Sequence, residues 1–127
     1  MPATTLSQAR AALDAQIDRT ADEIAEMIKA LRKQRRTAMK AGDRTQARRA
    51  NKALLSYNDS LATLVRGKIK AMDSANDVQA LIAGFKAVTA DLKEARKSIQ
   101  ETKAFIDKAI KIVKVVEKVA KKALTLV

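Results

Sequence analysis

Ten basic side chains lie close together in this chain and are the groups best suited to bind a charged partner. Residues 29–52 hold these ten lysines and arginines against one acid, Asp43, a net charge of +9. On a helix, like charges four residues apart cost about 0.2–0.5 kcal/mol per pair. The cluster is either a solvated surface that aids solubility or an attractive site for an anionic partner, and we favour the second. The predicted anion- or nucleic-acid-binding residues are Lys29, Arg32, Lys33, Arg36, Lys40, Arg44, Arg48, Arg49 and Lys52.

Groups that support catalysis are scarce. The chain has no His and no Cys, and it contains no glycine-rich phosphate loop. Asp22, Glu23 and Glu26 read as an ordinary acidic helix face, because carboxylate metal sites in helical bundles normally add a Glu-x-x-His motif. We therefore expect no enzyme, no metal, no cofactor and no small-molecule substrate.

The composition predicts an all-α protein with one domain, residues 1–127. Gly and Pro are rare, charged residues make up 31% and aromatic residues 2%, so the core must be aliphatic. Helix 1 is predicted at about 5–41 and helix 2 at about 44–72, with Gly42 ending the first and Asp43 capping the second. Helix 3 is predicted at about 75–126. Asn58 falls on the apolar stripe of helix 2, either as a tolerated polar residue, which we favour, or as a buried register-setting one.

Helix 3 carries a seven-residue apolar repeat. The first series is Val78, Phe85, Leu92, Ile99, Ile106, Val113, Ala120 and Val127, and the second is Leu81, Val88, Ala95, Thr102, Ala109, Val116 and Ala123. Thr102 is the one exception to apolarity. A strict heptad stays in register only when the helix supercoils against a partner, which predicts an elongated antiparallel hairpin or coiled coil of three long helices. Ser98 to Glu101 match a capping box, and a kink there would instead give a four-helix bundle, the alternative fold.

In the three-helix arrangement, helix 3 extends past helix 2 and leaves residues 104–127 unpaired. This stretch is strongly apolar, and a lone helix does not expose such a face to water comfortably. The face predicted to meet a second copy, a partner helix or a lipid surface consists of Ile99, Phe105, Ile106, Ile110, Val113, Val116, Ala120 and Leu124. Residues 102–127 also carry a net charge of +5, so about +14 would gather at one end of the molecule.

Three functions fit these features. The first, which we rank highest, is an assembly or adaptor protein that forms a homo-oligomer or binds a partner helix. The second is a membrane-active protein, lipid-binding or pore-forming, whose C-terminal helix meets an anionic membrane surface through interleaved lysines. The third is sequence-independent nucleic-acid binding through residues 29–52. With no secretory signal and no transmembrane helix apparent, we expect a cytoplasmic location, or a peripheral one at a membrane.

Overall fold

The computed structural model describes residues 6–67, 75–97 and 101–125, and these form four α-helices with no strand among them. The helices are α1 (Leu6–Lys40), α2 (Arg44–Gly67), α3 (Ala75–Lys97) and α4 (Thr102–Thr125). The predicted all-α class is confirmed. The predicted end of helix 2 at about residue 72 lies outside the described residues, and α3 begins at Ala75.

The four helices pack as a bundle of two helical hairpins. Helix α1 lies against α2 and α3, and α4 lies against the same two helices and touches α1 across the centre. Gln16 bonds to Thr89, so the first half of α1 lies beside the middle of α3. Arg96 pairs with Glu23 further along both helices, which therefore run in the same direction.

The preferred three-helix arrangement is wrong, and the four-helix alternative describes the fold. The predicted helix 3 is two helices: α3 ends at Lys97, and α4 begins at Thr102 and packs back on α3. The Phe105 amide donates to the Glu101 carbonyl at 2.9 Å, at the start of α4. Reversal at this point lets α4 bury its apolar stripe in the same chain, which removes the need for a partner to cover it. The proposed cap at Ser98 lies outside the described residues.

The turn between α1 and α2 follows the sequence prediction closely. Gly42 has φ +74°, a left-handed conformation that glycine adopts without a side-chain penalty. The Asp43 amide donates to the Ala38 carbonyl at 2.9 Å and the Gly42 amide to the Met39 carbonyl at 3.1 Å, which is the Schellman pattern. The Asp43 carboxylate then accepts a hydrogen bond from the Gln46 backbone N–H at 3.1 Å and caps α2.

The core is aliphatic with three aromatic residues. The heptad positions of α3 and α4 whose side chains the structure describes are buried except Thr102, which is half-buried. They are Val78, Leu81, Phe85, Val88, Leu92, Ala95, Ile106, Ala109, Val113, Val116 and Ala120. The apolar repeat therefore marks a helix-contact stripe, as predicted, but its partners are helices of the same chain. Asn58 is exposed and sets no register, whereas Tyr57 beside it is fully buried.

A buried polar cluster joins α1 to α3. The Thr20 and Thr89 hydroxyl oxygens lie 2.9 Å apart, and the Gln16 amide nitrogen donates to Thr89 Oγ1 at 3.3 Å. Thr20 Oγ1 also lies 2.9 Å from the Gln16 carbonyl oxygen and Thr89 Oγ1 lies 2.8 Å from the Phe85 carbonyl oxygen, so each hydroxyl can donate its one proton either along its own helix or to the other threonine. The two carbonyl contacts lie within one helix each and would survive a register shift, whereas the contacts of Thr89 with Gln16 and Thr20 would not, so these contacts between the helices specify how α1 and α3 align.

Candidate anion-binding face

The apolar residues of α1 and α2 determine where the basic side chains point. Leu31 and Ala38 are buried on α1, and Ala50 and Leu54 are buried on α2. Each helical residue is rotated by about 100° from the one before it, so bases between these positions are directed away from the core. The two helices meet at Gly42, so their solvent-facing sides form one continuous surface at this end of the bundle.

Seven of the nine predicted residues form this surface, which we call the basic face. They are exposed, and within the part of the chain that the structure describes their side chains have no hydrogen bond or ion pair. The seven residues are Arg32, Lys33, Arg36, Lys40, Arg44, Arg48 and Lys52. The one acid of the segment, Asp43, is exposed and caps α2, so its charge offsets only a small part of theirs.

The other two predicted residues have partners in the chain. Arg49 is half-buried, forms an ion pair with Asp107 of α4 and donates to the Gln46 side chain at 3.0 Å. It therefore links α2 to α4, and we do not count it in the basic face. Lys29 is exposed and pairs with Glu26 on the same helix at 3.3 Å, which places it at the margin of the basic face.

A groove between α1 and α2 on this side of the hairpin adds residues that the sequence analysis did not select. Its volume is about 450 Å³, and it is lined by Arg35 and by three members of the basic face, Arg44, Arg48 and Lys52. The Arg35 guanidinium donates to the Asn51 side chain at 2.8 Å across the groove. No carboxylate lines the groove, so every charged side chain that lines it is positive.

Met39 and Leu55 also line the groove, and both are largely exposed to solvent, at 65% and 59%. Each residue lies off the core stripe of its helix, so its spacing indicates exposure, but helical periodicity does not show that the two lie in one groove. A single exposed Met or Leu does not indicate a contact surface, and the two do so only because the fold brings them into one groove.

The predicted C-terminal interaction face is buried in the bundle. Phe105, Ile106, Val113, Val116 and Ala120 are each at most 4% exposed, and Ile110 is half-buried against the core. Ile99 and the Leu124 side chain lie outside the described residues. The expectation that this stripe faces another molecule is therefore corrected, since α2 and α3 already cover it.

The predicted concentration of about +14 at one end is also wrong. Helix α4 starts near the basic face, where Asp107 meets Arg49, and then runs back along α2. Lys121 lies far down the bundle, beside the same cavity as Thr63 near the end of α2. The positive charge of α4 is thus spread along one side of the molecule.

The acidic residues of α1 form no metal-binding constellation. Glu23 pairs with Arg96 and Glu26 with Lys29, while Asp22 is exposed. Across the described ranges, no three His, Cys, Asp or Glu side chains converge well enough to hold a metal ion. None of the helices, as far as they are described, has the length and apolarity to cross a membrane.

Comparison of the chain with protein-family models, curated proteins and solved structures gave no match in any of the three. The geometry and charge of the basic face are therefore the features from which a function is inferred.

Proposed function

We propose that this chain is a non-enzymatic helical adaptor that binds an acidic partner protein through the basic face. The supporting observation is that seven exposed basic side chains on two adjoining helices lack an ion pair within the described residues. The positive charges of this surface repel one another in the free protein. Carboxylates of a partner would reduce that repulsion and would steer the association of the two proteins. Self-association through residues 104–127 is not part of this proposal, because that stripe is covered.

A protein partner fits the surface better than single-stranded nucleic acid does. The chain has three aromatic side chains, Tyr57, Phe85 and Phe105. All three are at most 2% exposed, so none is available for stacking against bases. Insertion of α4 into lipid would require that helix to leave the core first, because its apolar side chains are enclosed.

Binding of a fluorescent polyglutamate peptide by the full chain tests this proposal. Wild type is compared with a variant carrying Glu at Arg32, Arg36, Arg44 and Arg48, and with a control carrying Glu at Lys86, Lys93, Lys118 and Lys121. The two variants change the net charge equally, and all eight positions are exposed. We expect the basic-face variant to lose affinity by more than about tenfold and the control by less than about threefold, since local charge complementarity governs such contacts.

Equal losses in the two variants would mean that net charge, and not the basic face, drives binding, and would overturn the proposal. A random-sequence DNA duplex is measured in parallel. If wild type binds the duplex more tightly than polyglutamate, and the basic-face variant loses mainly duplex binding with a steep salt dependence, the partner is nucleic acid and the adaptor proposal is wrong.

A further inference from the structure

The groove between α1 and α2 combines two chemistries that recognise different parts of a partner. Arg35, Arg44, Arg48 and Lys52 supply positive charge. Met39 and Leu55 supply exposed apolar surface between those charges. A surface that only aids solubility does not need exposed apolar side chains, and a phosphate backbone has no apolar groups for Met39 and Leu55 to contact.

Exposed apolar side chains of this size are rare in the described parts of the molecule. Besides Met39 and Leu55, Val115 of α4 is the one other large apolar side chain that is exposed there, at 44%. Two of the three thus lie in one groove, and that groove is also lined by four basic side chains and no acidic one. Met is a flexible, polarisable side chain that adapts well to different partner surfaces.

The groove also has one ordered element. The Arg35 guanidinium is held at 2.8 Å from Asn51, which connects α1 to α2 across the groove. An arginine positioned in advance loses less conformational freedom when it meets a carboxylate than a free one does. Arg44, Arg48 and Lys52, which have no such bond within the described residues, remain free to adjust around an incoming acid.

We propose that this groove binds an acidic amphipathic helix of the partner protein, whose apolar side chains contact Met39 and Leu55 while its carboxylates pair with the surrounding bases. This inference rests on the proposed function and specifies its partner. Apolar anchors three to four residues apart on one helix face are the usual way in which a helix occupies such a groove. Charge complementarity selects this occupant, because the groove contains four bases and no acid.

Two peptides of identical composition separate this inference from simple charge attraction. One carries its leucines on a single helical face flanked by Glu, and the other has the same residues scrambled so that no apolar face forms. Full-length wild type is compared with M39S/L55S and with the control V115S. The two substituted groove residues and Val115 are all exposed, so the bundle should fold in each case.

We expect wild type to bind the amphipathic peptide roughly tenfold more tightly than the scrambled one, as hot-spot anchors typically contribute. The M39S/L55S variant should bind both peptides with the weaker affinity, and V115S should behave as wild type. Equal affinity of wild type for the two peptides would overturn the inference and leave the proposed function intact, provided that the basic-face charge reversals still abolish binding.

Two other outcomes would also overturn it. If charge reversal at the basic face affects neither peptide, the proposed function and this inference fail together. If M39S/L55S retains full affinity for the amphipathic peptide but loses binding to vesicles of anionic phosphatidylglycerol, the apolar pair serves a lipid surface instead.

Discussion

Tyr57 is the most informative single residue of the core. Its ring is fully buried and its hydroxyl donates to the Ala109 carbonyl at 2.7 Å, which joins α2 to α4. Substitution with Phe preserves the packing and removes this bond, so we expect a loss of about 0.5–1.5 kcal/mol in the free energy of unfolding. Urea denaturation at neutral pH measures this difference, and an unchanged stability would show that the bond contributes nothing net.

The same residue predicts how stability responds to high pH. Burial raises the pKa of the Tyr57 hydroxyl above its ordinary value. The unfolded chain ionises this group at about pH 10, whereas the folded chain keeps it neutral to higher pH. The contribution of the buried, neutral hydroxyl to stability is therefore complete below about pH 10 and is lost as the pH rises above that value. We expect wild type to lose stability relative to Tyr57→Phe above about pH 10, and parallel pH profiles would contradict this.

At the scale of the element, α4 decides whether the C-terminal half belongs to the core or to an interface. Ile106 is fully buried, whereas Val115 on the same helix is 44% exposed. Ile106→Asp places a charge in the core at a cost of several kcal/mol, which is comparable with the whole stability of a small domain, about 5–15 kcal/mol. We expect circular dichroism and light scattering to show an unfolded or aggregating chain for Ile106→Asp and a folded one for Val115→Asp.

A different outcome would restore the interface predicted from the sequence. If Ile106→Asp stays fully helical and only converts an oligomer to a monomer, the apolar stripe of α4 contacts a second molecule. A truncation after Lys103 gives an independent comparison. Loss of α4 should unfold the remaining helices if α4 completes their core, because α2 and α3 would then expose the surfaces that α4 covers.

At the scale of the whole molecule, the net charge of +12 favours the proposed binding of an acidic partner, but repulsion among the like charges lowers the stability of the free protein. Arg48 has like charges four residues away on both sides, Arg44 and Lys52, whereas Lys86 has no charged residue three or four positions away. Arg48→Glu turns two repulsions into attractions, so we expect the free protein to gain about 1 kcal/mol. Lys86→Glu changes the net charge equally and should change stability by less than about half of that.

Thermal denaturation at low and high salt measures this effect. Salt should reduce the gain for Arg48→Glu, because screening weakens the repulsion that the substitution removes. The same variant should bind acidic probes more weakly. A substitution that stabilises the free protein and weakens binding indicates a surface maintained for a partner. Equal stability of the two variants would mean that repulsion at the basic face is too weak to matter.

Local features of the sequence predicted much of this fold and of its basic face. Gly42, Asp43 and Gln46 specify a helix end and the next cap within a few residues, so the first turn follows from local chemistry. The direction of the bases follows from their spacing relative to Leu31, Ala38, Ala50 and Leu54. Arg49 shows the limit of such reasoning, because its partner Asp107 is distant in the sequence and only packing brings the two together.

The heptad repeat shows what the sequence alone determined and what only the tertiary structure decided. Apart from Thr102, the residues of the repeat whose side chains the structure describes were correctly predicted to be buried at helix contacts, because helical periodicity is a local property. The repeat keeps its seven-residue spacing from Leu92 to Ile106, across the point where α3 ends and α4 begins, so it contains no sign of the reversal. An apolar stripe loses the same contact with water whether it packs on its own chain or on another. The return of α4 onto α2 and α3, and the meeting of Met39 with Leu55 in one groove, therefore depend on long-range packing that periodicity does not encode.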